Sequence, residues 1–494
     1  MSHVFKNNLK KYYFTFKIIL VFVILYFFYN GIINYSGNKV LYAIFSLISN
    51  YLIVFGFRKN AFFFDTFFSL LLWLGFWFKF TYVISSTDGY FYGQEIGDFN
   101  YSSNSFNDTL IVSSIGLTAF IIAGYIREFI LFNYPKKLQF NFKNKTFFKK
   151  NRNKIWLAFL ILIITIGFSN LYFMIYQKGL LPINNYNFLF SGFYKWLLLF
   201  GLASFSSFII FAEINMIKKL LFSSLIIIFF ETFLSSFSML SRGMIFNALA
   251  ILYGIYKFSN KINNNFNYLI YLRSILIIFI FFYISVMSVN YIRANYFYIG
   301  KSSKIIENTV INNETETIVK NNGNVLEKQN LEILYLLINR WVGIDGVMAV
   351  VSKKELLNLD FLKKSLFEIP QPQGITFYEN EFNIATLTNE DKIYENVKGI
   401  TLPGIIAFFY YSGSYILMFI FIFFCCLIAS FLEYFAFKLS KQNLIFSSLI
   451  GQVIAYRFIH FGYMPQNSYL LFSSIFITIL VAFFLKKALF ISKT

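Results

Sequence analysis

Four arginines stand where membrane insertion gives no reason for them. Arg242, Arg293, Arg340 and Arg457 lie at or near the ends of apolar segments, on the side that the charge pattern below assigns to the outside. A guanidinium is planar, stays charged and grips phosphate oxygens through two parallel N–H donors. A phosphate or diphosphate is therefore the ligand these four suit. The remaining four of the eight arginines, Arg58, Arg127, Arg152 and Arg273, fall at inner helix ends, where basic residues are ordinary. Arg457 is the strongest candidate because it lies deep in an apolar helix. A charge there costs on the order of a kcal/mol or more without a partner or a cavity. His460 follows three residues later, on the same helical face.

The chain's other histidine is His3, so His460 is the candidate imidazole base, with Arg457 beside it as a catalytic partner. Asp345 is the alternative carboxylate base. Each of these residues also has a plainer reading. Arg242 and Arg293 fit as interfacial side chains reaching lipid headgroups, Arg340 as a local ion-pair partner of Asp345, and His460 as a structural histidine. Ser241 is placed to cap the helix after Arg242, whose free N–H groups would favour an anion. Pro465, Gln466 and Asn467 follow Arg457 and can line the same mouth.

Other chemistry is weakly signalled. Glu231 lies within an apolar run, and an ion pair with an arginine or with Lys79 would explain it. Asp88, Glu95 and Asp98, near Tyr90, Phe91 and Tyr92, offer acids and aromatics that suit sugar binding, or a plain solvated loop. No glycine-rich phosphate loop, HExxH motif or Cys/His cluster of metal-ligand spacing occurs, so no cofactor and no metal is expected. Cys425 and Cys426 are neighbours inside an apolar run and do not form an ordinary disulfide.

The elements that position these residues are membrane helices. Of 494 residues, 57% are hydrophobic and 13% charged, against about a quarter charged in soluble domains. A net charge of +20 alone would suit a nucleic-acid binder, but 70 Phe and the long apolar runs exclude a soluble one. About 20 apolar residues are needed per crossing. That ruler gives twelve spans, near 14–34, 38–57, 61–84, 108–132, 155–177, 194–213, 219–238, 242–258, 269–289, 403–436, 443–461 and 468–486. The fold class is thus all-α integral membrane. Residues 1–289 hold nine helices, 290–402 a large outer loop, and 403–494 three more helices. The run 403–436 is too long for one upright helix, and Gly404 and Gly413 are expected to divide it into an interfacial segment, 402–414, and a span. Within the loop, 301–329 is polar and expected to be flexible. Residues 331–352 are apolar with helical spacing, and predict a helix at the membrane surface or packed over the bundle mouth.

Orientation follows from basic residues. Lys136, Lys137, Lys143, Lys145, Lys149, Lys150, Arg152 and Lys154 crowd the segment 133–154, which holds no acid. Alternate loops agree, placing both termini in the cytoplasm and the large loop outside. Lysine is largely absent from the outer helix mouths, which makes the arginines there stand out.

This layout resembles the oligosaccharide repeat-unit polymerases of bacterial surface polysaccharide synthesis, the O-antigen polymerase type. Many spans, one large late periplasmic loop and outward arginines carry the resemblance. So do Ser241-Arg242-Gly243, Asn339-Arg340-Trp341-Val342-Gly343 and Thr401-Leu402-Pro403-Gly404. The resemblance implies a glycosyltransferase of the inner membrane, acting on the periplasmic face without a nucleotide sugar. A glycan on polyprenyl diphosphate would pass to the next lipid-linked repeat unit. Implied partners are that lipid-linked oligosaccharide, membrane lipids and a chain-length regulator protein, with no nucleic acid. Fixed guanidinium groups would stabilise the departing diphosphate in place of a metal, and His460 or Asp345 would take the acceptor's proton. Two alternatives remain open from sequence: a lipid-linked oligosaccharide flippase and an O-antigen ligase.

Overall fold

The computed structural model describes residues 2–86, 96–130, 133–135, 138, 145–178, 186–217, 220–262, 268–308, 338, 341–368, 376–383 and 401–490. Among them there are helices and no strands. Lipid offers no partner for an unpaired backbone N–H or C=O, and a helix satisfies these groups within itself.

The first four helices are α1 (Ser2–Asn34), α2 (Lys39–Gly56), α3 (Phe63–Ser86) and α4 (Ser103–Ile130). Next come α5 (Lys145–Phe173) and α6, a continuous rod of Phe188–Trp196, Leu197–Gly201 and Leu202–Ile217. They are followed by α7 (Phe222–Ser238), α8 (Ile245–Lys261) and α9 (Tyr268–Asn308). Three short helices, α10 (Ile344–Val351), α11 (Leu359–Leu366) and α12 (Phe377–Glu381), precede α13 (Gly404–Tyr410), α14 (Tyr415–Leu439), α15 (Leu444–Ile459) and α16 (Pro465–Phe490). Eight helices among the described residues are long and apolar enough to cross a membrane: α2 to α6, α9, α14 and α16. Ile18–Asn34, α7 and α15 are apolar but shorter.

The hub is α15, which packs against α3, α6, α8 and α14. Asn443 caps it, accepting from Ile445 N at 3.0 Å and Phe446 N at 3.1 Å, so its buried first turn leaves fewer orphan donors. The first turn of α3 is satisfied from outside. Glu433 of α14 accepts from Phe63 N at 2.8 Å and Phe64 N at 2.6 Å, placing a carboxylate at the positive end of that helix.

Two helices carry a wider, π-type turn: Trp73–Phe78 in α3 and Leu197–Gly201 in α6. Such a turn shifts the backbone register and frees a carbonyl. In α6 the Leu199 carbonyl accepts from Asn247 Nδ2 of α8 at 2.8 Å. In α3 the π-turn brings Gly75 so near the 342–343 backbone that a Cβ there would meet the Val342 carbonyl oxygen at 2.0 Å.

One expectation needs correction. Within the predicted helix over 331–352, Ile338 and Ile344–Val351 are helical but Trp341–Gly343 are not, so the helix is interrupted there. All eight residues of α10 are buried, packed on α4 and α13, which agrees with packing on the bundle and not with a helix lying on the membrane surface. The run from 403 does break at Gly404 and Gly413, both at positive φ (70° and 69°), which a residue with a side chain adopts at a cost. The α13 segment it releases is wholly buried within the protein.

Candidate anion-binding site

Arg457 lies near the C-terminal end of α15. Its Nε donates to Ser468 Oγ of α16 at 2.8 Å and its Nη2 to the Met464 carbonyl at 3.4 Å. Both partners are neutral. The contrast with the opposite end of the bundle is sharp. There Arg127 and Arg58 share Asp65 at 2.6 and 2.8 Å, Arg58 also meets Glu128 at 2.9 Å, and Arg152 meets Glu213 at 3.1 Å. Three arginines of that end are matched by carboxylates, while among the described residues Arg457 meets only uncharged partners and has donors to spare.

More positive charge gathers around it. Lys195, in the α6 turn just before the π segment, donates to Asn467 Oδ1 at 2.9 Å and lies 5.4 Å from the Tyr176 ring. Lys178 lies 5.8 Å from the ring of Tyr456, with its backbone N–H bonded to the Met239 carbonyl at 2.9 Å. Tyr176, Tyr456, Lys195 and His460 are all within electrostatic reach of Arg457, and His460 also of Lys178. Arg242 opens the short turn Arg242–Met244 and is half-buried. The next residue, Gly243, lies against Tyr456: a Cβ there would stand 2.3 Å from the tyrosine hydroxyl. Thus α6, α15 and the segment after α5 each bring a cation to one place, and the turn before α8 packs against it at Gly243. The expected capping role of Ser241 is not seen, since its side chain makes no cap hydrogen bond.

His460 sits on this cluster with a defined tautomer. Its Nδ1 is 2.8 Å from the Tyr456 carbonyl oxygen, and its ring centroid 4.3 Å from that of Tyr456. A carbonyl only accepts, so Nδ1 must carry the hydrogen. In the neutral ring Nε2 then holds the lone pair, as a base requires.

The segment 341–346 forms the neighbouring wall. Lys79 of α3 makes a buried ion pair with Asp345 and donates from Nζ to the Trp341 carbonyl at 3.2 Å. Close glycine contacts clamp the segment from both sides: Gly75 on Val342, and Gly346, where a Cβ would meet the Leu402 carbonyl oxygen at 2.3 Å. The Trp341 ring lies 6.3 Å from Phe246 of α8, whose ring is 5.9 Å from Tyr456. Asp345 is therefore held as the counterion of Lys79.

Of the residues picked from sequence, Arg457 and His460 come together, with Arg242 on the turn that packs against Tyr456 at Gly243 and Asp345 in the adjoining wall. Arg340 lies outside the described residues, as do Asp88, Glu95, Tyr90, Phe91 and Tyr92. Arg293 falls on α9, and its side chain is outside those described. Asp98 pairs with Lys353 at 3.0 Å in a partly exposed contact. Glu231 is corrected: it accepts from Ser235 Oγ at 2.9 Å, its Oε2 is buried without a hydrogen-bond partner, and Lys79 is engaged elsewhere. The view that lysine avoids this region is corrected too, by Lys178 and Lys195. The signal available was Lys195 itself, a lysine inside the apolar run of α6 with no acid near it in sequence.

Among the described residues no three His, Cys, Asp or Glu side chains are grouped to hold a metal ion. Comparison with family models, curated proteins and solved structures finds no match.

Proposed function

We propose that this chain is a polymerase of lipid-linked oligosaccharide repeat units, a glycosyltransferase of the bacterial inner membrane whose donor is a glycan on polyprenyl diphosphate. The observation that carries the reading is the gathering of Arg457, Lys178 and Lys195 at one end of an apolar helical bundle, with Arg242 on the adjoining turn; among the described residues Arg457 meets only neutral partners. An anion that reaches this place from within a membrane is the headgroup of a lipid, and a diphosphate matches several cations at once. The helix that supports the cluster, α15, has 16 residues. At 1.5 Å per residue it spans about 24 Å, less than the ~30 Å of a hydrocarbon core. In the twelve-span topology, with the 290–402 loop in the periplasm, the cluster is then recessed below the outer surface. A lipid diphosphate can enter it with its chain still between helices.

The chemistry is a single displacement. His460 Nε2 takes the proton of the acceptor sugar hydroxyl, whose oxygen attacks the anomeric carbon of the donor. The bond from that carbon to the diphosphate oxygen breaks, and its electron pair leaves with the diphosphate. Arg457, Arg242 and the two lysines face that growing charge, which a low-dielectric site makes more effective than water would. Asp345 is the weaker candidate for the base, because Lys79 already engages it.

The test is chain extension. Arg457→Ala and Arg242→Ala should each lower it about 100-fold or more, the scale for losing one charge-stabilising donor. Membrane levels of both variants should stay normal. Long polysaccharide from both would sink the assignment. Deleting the gene should leave single-repeat products on the surface; loss of all repeats would instead support a flippase or a ligase. Retained anomeric configuration in the product would exclude the one-step displacement.

A further inference from the structure

We propose that Trp341, Phe246 and Tyr456 form a shelf for the sugar ring attached to the donor diphosphate. This rests on the donor reading above and adds the place of the first sugar.

The three rings form a row that ends at the imidazole of His460. Centroids are 6.3 Å apart from Trp341 to Phe246, 5.9 Å from Phe246 to Tyr456 and 4.3 Å from Tyr456 to His460. They come from three separate elements: the 341–346 wall, α8 and α15. Each ring of the shelf is only half-buried, whereas nearby aromatics of the core, such as Phe408 and Tyr411, are fully enclosed.

In sequence the row stands close to the cations. Phe246 lies four residues beyond Arg242, and Tyr456 immediately precedes Arg457. In a glycosyl diphosphate a single oxygen joins the anomeric carbon to phosphorus. Any grip on the phosphate by Arg242 and Arg457 therefore puts the sugar within one ring's width of the same two elements. What those elements present there is aromatic. A pyranose has one face of C–H groups with slight positive character, and an aromatic ring presents a negative π face to it. His460, at the end of the row, then stands beside the anomeric carbon, where the acceptor hydroxyl must arrive.

The experiment uses the full chain in lipid nanodiscs and two probes, bare polyprenyl diphosphate and polyprenyl diphosphate carrying one N-acetylhexosamine. Phe246→Leu and Trp341→Leu keep apolar bulk but remove the π face. The expected result is a fivefold to tenfold loss of affinity for the sugar-bearing probe with no change for the bare one. Equal losses for both probes would overturn the shelf and make the rings packing or a seat for the isoprenoid. No change for either probe would overturn it as well. Wild-type protein that binds neither probe would remove the donor reading, and the shelf with it. Binding of both probes with the variants indifferent to the sugar removes the shelf alone.

Discussion

A methyl group on Gly243 would stand 2.3 Å from the hydroxyl of Tyr456, so the ring must shift, and it is the ring that contacts Phe246 and His460. Gly243→Ala should therefore leave the protein in the membrane yet reduce chain extension about tenfold or more, since small displacements at a charge-stabilising site are costly in rate. Unchanged product length would show that Tyr456 does not hold the site. A second single-residue prediction concerns pH. Glu368 accepts from Phe377 N at 2.7 Å, and its Oε2 is buried without a hydrogen-bond partner. Burial raises its carboxyl above the ordinary 4.5, the Phe377 N–H pulls the other way, and nearby Glu379 adds to the rise. A group whose pKa is raised by folding gives stability that is full below its unfolded value and is lost as pH climbs through the folded one. Hydrogen exchange at Phe377–Glu381 should thus quicken as pH rises from about 5 to 8, after correction for intrinsic rates, and Glu368→Gln should flatten that slope. A slope that survives in Glu368→Gln assigns it to another group. At this scale the sequence was partly readable: Arg457 and His460 share a face by spacing alone. That Lys195 and the turn holding Arg242 come near them was not, because no local spacing relates residues more than 200 positions apart.

Element by element, the helices followed from apolar runs of sufficient length, but the devices that join them did not. The π-turn in α3 has no signature in hydropathy, yet it sets Gly75 against Val342 and brings Lys79 to Asp345. Nor did helical spacing over 331–352 disclose that the chain leaves the helix at Trp341–Gly343, where tertiary contacts with α3 and with Leu402 and Pro403 outweigh local propensity. The Lys79–Asp345 pair offers a test of whether this wall is structural or catalytic. Lys79→Ala leaves a buried, uncompensated carboxylate and should destabilise the protein by about 3–5 kcal/mol. The paired replacement Lys79→Met with Asp345→Leu removes both charges and should recover most of that loss. If His460 is the base, the double variant also keeps chain extension. A double variant that is as stable as the parent but inactive would move the base to Asp345.

For the molecule as a whole, the +20 charge is read as a mark of orientation, and three arginines of the basic end are already engaged by carboxylates. Arg58, Arg127 and Arg152, at the basic end, are tied to Asp65, Glu128 and Glu213. At the other end, among the described residues, Arg457 and Lys195 meet neutral partners, which separates a topological role from a functional one more clearly than counting charges does. The separation holds only if the two ends face opposite sides of the membrane, with residues 145–154 inside and α11 outside. Exposed lysines report on both: Lys150 near the start of α5 and Lys363 on α11. In a background with Cys425→Ala and Cys426→Ala, single Lys150→Cys and Lys363→Cys variants can be treated with a membrane-impermeant maleimide. The reagent, given to intact cells with a permeabilised outer envelope, should modify Lys363→Cys at once and Lys150→Cys only after lysis. Labelling of both from one side would break the alternation of loops. It would also move the cation cluster to the cytoplasmic face, where nucleotide sugars are available, and a donor carried on a lipid diphosphate would lose its physical argument.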